Sequence, residues 1–385
     1  MIIMSEKKRL LYIDNIRIFL TIIVILHHLA ITYGAPGGWY YREFEVNQLD
    51  SITLTILVLF VAANQAYFMG FFFFLGGFFS ARSLERRNSG SFLIQRFLRL
   101  GVPILVFVYL ISPVLRFFLR FILYDRPPTL TGLMSIYQSL DFGIDLGPMW
   151  YVLLLILLSI SCIPANKWIK INLISPNENH TFPSRLKLLL FALLVGLTTF
   201  LVRLYLPIGS VFQPLNLQVP FLLQYLALYI AGLAAYHGKW FDQIKPDQNK
   251  FWRSLTLALI AVMPIIFILS GGLEGDVTPA LGGLYWQSLV FALWEQFFCL
   301  GMIVTLLSYF KKNLDKQVYI AKEMAAASYA AFIIHTPVLV LFTAILRNIS
   351  LHPLMKIFSF ALPVLCLSFF SGSLLRRIPG FRSIL

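Results

Sequence analysis

The chain has 385 residues, of which 59% are hydrophobic and only 12% are charged, and its formal net charge is +14. Soluble domains carry about 25% charged residues, so this composition is that of an integral membrane protein and excludes a soluble globular domain. The basic residues cluster in short connections between apolar runs, which is a topology signal of membrane proteins, so no nucleic-acid partner is expected.

Ten apolar runs are long enough to cross a bilayer, and each is expected to be a helix because a lipid-exposed backbone must satisfy its own hydrogen bonds. We therefore predict an all-α polytopic membrane helix bundle that forms a single transmembrane domain over residues 1–385. The predicted spans cover residues 13–34, 54–80, 101–123, 149–166, 186–206, 219–236, 254–271, 285–309, 326–346 and 354–374. The sequence shows no internal repeat and no inverted pair of short, Gly-interrupted spans, which are typical of many secondary transporters.

The segments between the predicted spans alternate in charge along the chain. Basic residues precede the first span and occupy every second connection and the tail: Lys7, Lys8, Arg9, Arg82, Arg86, Arg87, Arg96, Arg99, Lys167, Lys170, Arg185, Lys187, Lys239, Lys245, Lys250, Arg253, Lys311, Lys312, Lys316, Lys322, Arg376, Arg377 and Arg382. The intervening connections are poorer in Lys and Arg and contain the acidic residues Glu43, Glu45, Asp50, Asp141, Asp145, Glu274 and Asp276. By the positive-inside rule, both termini of this multi-pass protein of the cell membrane are predicted to be cytoplasmic.

The first predicted span carries Arg17, His27 and His28 within an apolar run. Ionisable groups inside hydrocarbon are costly and usually face a protein interior or a wet cavity, so they indicate a functional site. Arg17 and His28 are eleven residues apart, close to three helical turns, so they lie on nearly the same face about 16 Å apart along the axis. His27 points about 100° away. A packing role for the histidine and a headgroup contact for the arginine remain alternatives.

The second connection re-enters the membrane through Arg96 and Arg99, which are three residues apart and share one face of a helix just before an apolar run. Paired arginines bind the phosphates of a nucleotide-like ligand through forked hydrogen bonds. Basic residues at a cytoplasmic helix end also anchor helices to anionic headgroups, and the spacing alone favours that ordinary role.

Polar groups also occur deep inside later spans. His335 lies near the middle of the ninth span, where Pro337 disturbs the helix, and Glu295 lies near the middle of the eighth. Asn64 and Gln65 lie at a similar depth in the second span. Several such groups at comparable depth predict a polar cavity inside the bundle.

Arg116, Arg120 and Arg203 approach the outer ends of the third and fifth spans. We expect these arginines to extend towards the membrane surface rather than to form an anionic acceptor site. Three cysteines lie in apolar runs and are expected to be small buried side chains: Cys162, Cys299 and Cys366. The Cys and His spacings fit no zinc site, so no metal is expected.

Four segments of the chain are similar to motifs of one known family. The opening IDNIRIFLTIIVILHHLAITYG, with Arg17, ten intervening residues and His28, resembles the first helix of the acyltransferase 3 family of membrane acyltransferases. The RFLR segment from Arg96 to Arg99 matches the R-x-x-R motif of that family. GPMWYVLLLILL, from Gly147, and SYAAFIIHTPVL, with His335, resemble its middle and late segments. The resemblance covers essentially the whole chain and is closest to the glucan-modifying branch, which includes succinyltransferases.

This resemblance implies an enzyme that moves an acyl group, acetyl or succinyl, from cytoplasmic acyl-CoA to a hydroxyl of a cell-envelope or exported glycan. His28 would act as the general base, and Arg17 would bind donor or carbonyl oxygens. Arg96 and Arg99 would hold the phosphates of the coenzyme.

His335 and Glu295 are expected to bind substrate, with His335 as the rival general base. Many relatives also carry a C-terminal extracytoplasmic hydrolase-like domain. The last predicted span ends shortly before Leu385, so any step performed by such a domain is expected to need a separate protein.

Two functions of other classes remain open from the sequence. A transporter or flippase for a sugar or lipid-linked substrate would use the buried arginine and histidines as substrate or proton sites. A non-catalytic membrane partner would need neither the buried arginine nor the histidines. Acyl transfer that depends on His28 would identify the enzyme, whereas a transporter would move substrate without consuming acyl donor. Acyl-CoA, a hydroxyl acceptor and membrane lipids are therefore the expected partners.

Overall fold

The computed structural model describes residues 10–124, 129–138, 146–172, 182–213 and 215–384. Within these ranges ten helices are long and apolar enough to cross a membrane, which confirms the predicted helical bundle and its number of spans. They are α1 Leu11–Thr32, α2 Ser51–Leu84, α3 Ser89–Tyr124, α4 Gly147–Ile169, α5 Arg185–Arg203, α6 Val219–His237, α7 Pro246–Leu269, α8 Trp286–Asn313, α9 Tyr319–Ile345 and α10 Pro353–Leu375.

Short elements occupy the connections between these helices. The short helices are Val46–Gln48, Leu130–Gln138, Trp240–Asp242, Thr278–Leu281 and Phe381–Ile384. Strands β1 Val211–Phe212 and β2 Leu217–Gln218 pair antiparallel between α5 and α6. Five residues used for the topology prediction lie outside the described ranges: Lys7, Lys8, Arg9, Asp141 and Asp145. The cytoplasmic location of both termini remains a prediction.

The third helix begins twelve residues earlier than the hydropathy pattern predicts, at Ser89 rather than residue 101. The Asn88 side chain caps it by accepting a hydrogen bond from the Ser91 amide at 2.8 Å. Its first turns are polar, so the hydropathy pattern does not detect them as part of the helix. Arg96 and Arg99 consequently lie about two turns inside a continuous helix rather than in front of it.

Helix α1 occupies the middle of the bundle and contacts α2, α8, α9 and α10. Helix α2 packs along α6, α8 packs between α5 and α7, and α9 packs along α10. Glycines allow the α2–α6 contact to be close: a Cβ on Gly77 would collide with the Tyr229 carbonyl, and a Cβ on Gly232 with the Phe74 carbonyl. This approach places the α6 tyrosine Tyr229 directly beside α2.

Two of the three cysteines, Cys162 and Cys299, are buried as expected, but Cys366 on α10 is exposed. Its neighbours Leu362 and Phe370 are also largely exposed. An apolar run in a membrane helix has a lipid-facing side as well as a buried one, so the expectation that all three cysteines are buried was wrong for Cys366.

Candidate active site

Helix α1 carries polar side chains at both of its ends. Near its start, Arg17 Nη1 lies 3.4 Å from Asp14 Oδ1, and the Arg17 side chain is 35% exposed. Thr21 Oγ1 donates a hydrogen bond to the Arg17 carbonyl at 2.9 Å, and Thr32 Oγ1 donates to the His28 carbonyl at 3.1 Å. These bonds to the preceding turn satisfy the hydroxyls within an apolar helix. The eleven residues between Arg17 and His28 separate the two groups by about 16 Å along the axis.

His28 contacts His335 across the α1–α9 interface, with 3.1 Å between His28 Nδ1 and His335 Nε2. His335 is fully buried, and its Nδ1 lies 2.5 Å from the Phe332 carbonyl oxygen. A carbonyl oxygen only accepts hydrogen bonds, so His335 Nδ1 must carry a proton and donate it. With both rings neutral, His335 Nε2 is then an acceptor and His28 Nδ1 is the donor. His28 Nε2 is then also unprotonated and, unlike His335 Nε2, takes no part in the contact between the two rings.

One face of the His28 ring is covered by Trp39, which belongs to the connection between α1 and α2. Their ring centroids are 3.9 Å apart and their planes differ by only 10°. His335 is nearly parallel to both, 5.1 Å from His28 and 5.9 Å from Trp39 between centroids. The Trp39–His335 separation is far shorter than the other two separations combined, so Trp39 covers one face of the His28 ring and His335 lies at its edge, where the Nδ1–Nε2 contact is made.

Contacts at Glu43 and at Asp50 hold the α1–α2 connection against the helices. The Glu43 amide donates to the Thr32 carbonyl at 2.8 Å, and the Glu43 carboxylate pairs with Lys356 of α10, whose side chain is only 1% exposed. At its far end, Asp50 caps α2 and lies 3.5 Å from His352 Nε2. Hydrogen bonds from the Thr53 side chain and amide lower the pKa of Asp50 to about 2.

His27 lies in different surroundings from its neighbour. Its ring packs against Phe68 of α2 with 5.0 Å between centroids, and its Nδ1 is buried without a hydrogen-bond partner among the described residues. The rotation of about 100° between successive helical residues separates the two histidines. The described ranges therefore show one histidine held by a second histidine and another that packs against an aromatic ring.

A cavity of about 1000 Å³ lies beside the His28 and Trp39 rings, with His27, His28 and Trp39 in its wall. The connections that enclose it follow α1, precede α4, and join α5 to α6 and α7 to α8, so it lies at the bundle end that is poor in Lys and Arg. Aromatic and amide side chains contribute to the lining, including Tyr40, Gln65, Trp150, Gln218 and Trp294. Such a surface suits a hydroxyl-rich, partly apolar ligand. Across the described part of the chain, no three His, Cys, Asp or Glu side chains are grouped as metal ligands.

Arg96 is held by a buried network that joins α2, α3 and α6. Its Nη2 donates to Ser80 Oγ at 3.0 Å, and Tyr229 OH donates to the same oxygen at 2.9 Å. Ser80 Oγ donates its own proton to the Gly76 carbonyl at 2.8 Å. A hydroxyl has one donor and two acceptor positions, so every position of Ser80 is used. The network fixes one edge of the guanidinium.

Arg99 is placed differently from Arg96. Residues Phe97–Gly101 are π-helical, and this wider turn moves Arg99 around the axis relative to its place in a regular α-helix. The Arg99 side chain is exposed whereas Arg96 is half-buried. The Arg99 carbonyl accepts a hydrogen bond from Tyr329 OH of α9 at 3.0 Å.

A buried tyrosine of α4 lies near the histidine pair, with one phenylalanine between them. Tyr151 of α4 is within electrostatic reach of both Arg17 and Arg96. Its ring contacts Phe332 at 5.8 Å between centroids, and Phe332 contacts His335 at the same distance. Phe332 thus lies between Tyr151 and the histidine pair.

Glu295 lines the cavity, as a substrate-binding residue should, but its charge is already paired. Arg203 Nη2 lies 2.7 Å from Glu295 Oε2, and their side chains are 0% and 1% exposed. The expectation that Arg203 extends to the membrane surface was therefore wrong. Its partner lies on another helix, so its position along α5 gave no sign of the pairing. The Arg203 guanidinium also lies 5.0 Å from the centroid of the Phe221 ring.

Of the other two arginines near the outer end, Arg116 lies over the Tyr40 ring at 5.9 Å and lines the cavity. Arg116 is also exposed, so it lies at the outer surface, as expected, and borders the candidate site as well. Arg120 is exposed and donates to Ser135 Oγ at 3.4 Å.

Sequence reasoning did not identify Trp39, Ser80 or Tyr229 as parts of the site. Trp39 lies in a connection with no motif of its own, although an aromatic residue there is a contact candidate once the loop is known to fold over α1. Ser80 and Tyr229 are ordinary residues of membrane helices, and their connection to Arg96 depends on the close α2–α6 packing.

Comparison with known proteins agrees with this architecture. Residues 10–373 match the Acyltransferase domain family Acyl_transf_3. The chain is similar to glucans biosynthesis protein C of Escherichia coli (strain SMS-3-5 / SECEC), with 24% identity over 243 residues, 58% of this chain and 57% of the relative. It is similar to the same protein of Escherichia coli O6:K15:H31 (strain 536 / UPEC), with 25% identity over 234 residues, 58% of this chain and 57% of the relative.

The matched region thus spans little more than half the length of these curated relatives. No solved structure matches the chain significantly. The family match covers nearly all of the described bundle, including His28, His335 and both arginines of the R-x-x-R segment. The chain therefore belongs to the Acyl_transf_3 family of membrane acyltransferases.

Proposed function

We propose that the protein transfers an acyl group, acetyl or succinyl, from acyl-CoA to a hydroxyl of an envelope or exported glycan. The observation that carries this proposal is the His28–His335 contact, whose hydrogen-bond directions leave His28 Nε2 as the free base of the pair. A neutral imidazole with an unprotonated ring nitrogen is suited to accept a hydroxyl proton. The likeness to glucans biosynthesis protein C supports a glycan as the acceptor.

In the proposed reaction, His28 Nε2 removes the proton of the acceptor hydroxyl while its oxygen attacks the thioester carbonyl carbon. The carbon–sulfur bond then breaks, and the coenzyme leaves as a thiolate that takes up the proton from the His28 imidazolium. The products are the ester and free coenzyme A, and the enzyme returns to its starting protonation state. His335 acts by accepting the His28 Nδ1 proton in a hydrogen bond, which fixes the tautomer and the ring orientation.

Donor and acceptor are proposed to approach His28 from opposite ends of the bundle. The basic end carries Arg96, held at one edge by Ser80, and the exposed Arg99, which together offer forked donors for coenzyme phosphates. The long pantetheine arm would extend past Arg17 and Tyr151 towards the histidines. The glycan hydroxyl would enter through the cavity of about 1000 Å³ that His28 and Trp39 line. Glu295, held by Arg203 in the wall of that cavity, would accept hydrogen bonds from the acceptor.

The test uses the full chain reconstituted in lipid nanodiscs with acetyl-CoA or succinyl-CoA and a soluble glucan. Mass spectrometry of the glucan should show added acyl groups, and thiol release should match them in number. The same purified protein, reconstituted in sealed vesicles, is used to measure glucan transport. Transport without acyl consumption would contradict the proposal and favour a transporter.

A further inference from the structure

Trp39 is placed so that any positive charge on His28 lies against an aromatic face. The centroid separation of 3.9 Å and the interplanar angle of 10° describe face-to-face contact. His335 meets the edge of the same ring through the Nδ1–Nε2 contact of 3.1 Å rather than its second face. Trp39 is therefore the side chain that covers a face of His28, and tryptophan has the strongest attraction for cations among aromatic side chains.

The position of Trp39 is held by packing and by the surrounding loop. Its ring packs against the buried cluster around Leu29 and Leu339, against the cluster around Ala30 and Leu57, and against the cluster around Leu115. The buried ion pair between Glu43 and Lys356 fixes the loop a few residues further along. The Trp39 ring is therefore already in place before the reaction, and no free energy is needed to order it when charge develops on His28.

Stacking of this kind favours one protonation state over the other. A neutral imidazole gains dispersion and packing from the indole, and these terms change little on protonation. The imidazolium gains in addition the attraction of its charge for the negative face of the ring. In the proposed reaction His28 becomes an imidazolium only as the hydroxyl proton is removed. An interaction that strengthens at that point raises kcat rather than binding.

We propose that Trp39 is a positioning residue that stabilises the His28 imidazolium through its indole face, an inference that rests on the proposed role of His28 as the base. The expected contribution is about 3- to 30-fold in kcat, the range of a cation–π contact in a partly desolvated site. A packing role for Trp39 would not depend on the electron density of the indole. A role as a stacking surface for the sugar ring would depend on it through the KM of the acceptor rather than through kcat.

The test replaces tryptophan by its mono-, di- and trifluorinated forms during expression, because fluorine withdraws electron density from the ring while changing its shape little. The chain has seven tryptophans, so a Trp39→Phe chain labelled with the same series serves as the matched control. We expect kcat of the parent to fall stepwise with fluorination by about 3- to 30-fold in total. The Trp39→Phe series should start lower and stay flat.

Each other outcome overturns the inference in a distinguishable way. A parent kcat that does not change with fluorination, while transfer still depends on His28, rules out the charge stabilisation and leaves the proposed function intact. A change confined to the KM of the acceptor assigns Trp39 to sugar stacking instead. Loss of activity to the same extent in both series places the effect at another tryptophan. Absence of any transfer that depends on His28 removes the proposed function and this inference with it.

Discussion

His28 Nδ1 lies 3.1 Å from His335 Nε2, and the bond from His335 Nδ1 to the Phe332 carbonyl fixes which of the two histidines is the donor. The pair is asymmetric as a result. His335 is fully buried with both nitrogens engaged, whereas the Nε2 of His28 has no role within the pair. The sequence left two rival bases, and the geometry supports a division of roles in which His335 orients and His28 reacts.

This division predicts different outcomes for two substitutions of His335. His335→Gln keeps a side-chain oxygen that can accept the His28 Nδ1 proton, whereas His335→Ala leaves that donor unpaired. We expect His335→Ala to lower kcat about 10- to 100-fold, since an unpaired buried donor costs about 1–3 kcal/mol. His335→Gln should recover much of that loss. Steady-state kinetics of both variants at matched expression measures the difference, and equal loss in two well-folded variants would contradict the orienting role.

The Arg96 network predicts effects on donor affinity. Ser80→Ala removes the acceptor that holds Arg96 Nη2 and should raise the KM for acyl-CoA several-fold with little change in kcat, because one hydrogen bond contributes about 1 kcal/mol. Arg96→Lys and Arg99→Lys keep the charge but lose the forked geometry, and each should weaken acyl-CoA binding by more than Ser80→Ala. Ser161→Ala, on a more exposed hydroxyl of α4, is the matched control. Lys variants that bind acyl-CoA as well as the parent would instead support simple headgroup anchoring.

The buried pair of Arg203 and Glu295 predicts a non-additive effect on stability. Arg203→Leu alone leaves a buried, unpaired carboxylate, and the expected destabilisation is about 3–5 kcal/mol. The double variant Arg203→Leu/Glu295→Leu removes both charges and should recover most of the loss. Thermal unfolding in detergent, followed by tryptophan fluorescence, compares the parent, the two single variants and the double variant. Additive losses would show that the two side chains contribute independently.

The extent of sequence-based prediction differs between local and long-range features. The ten spans follow from local hydropathy, and the common face of Arg17 and His28 follows from the helical repeat alone. Which residue of α9 meets His28 depends on how two helices are rotated against each other, and a single sequence does not encode that in any simple pattern. The same reason explains Arg203, whose partner is ninety-two residues away on α8.

The start of α3 and the position of Trp39 illustrate a second limit. Hydropathy detects only the apolar part of a helix, so it does not reveal the capped polar turns before Arg96. Trp39 reaches His28 because the α1–α2 connection folds back over the bundle and is held there by Glu43 and Lys356. Charge pairing between a loop and a distant helix leaves no periodic signal in the sequence.

The predicted orientation in the membrane can be tested by site-directed labelling. Lys312→Cys and Glu274→Cys both replace exposed residues, at opposite ends of α8 and in connections of opposite charge character. In a Cys366→Ser background, which removes the exposed native thiol, a membrane-impermeant maleimide should label Glu274→Cys in intact cells. Lys312→Cys should react only after the membrane is permeabilised. The reverse pattern would place both termini outside.

The central claim is that His28 is the general base, and the most direct test is the rate of acyl transfer in three single variants at matched expression: His27→Ala, His28→Ala and His335→Ala. A general base contributes about 10²–10⁴-fold. His28→Ala should therefore lower the rate by at least about 100-fold, while folding and acyl-CoA binding persist. His335→Ala should lose less, and His27→Ala, whose ring packs against Phe68, should keep substantial activity. Retention of transfer in His28→Ala together with its loss in His335→Ala would contradict the account and make the first helix a binding element only.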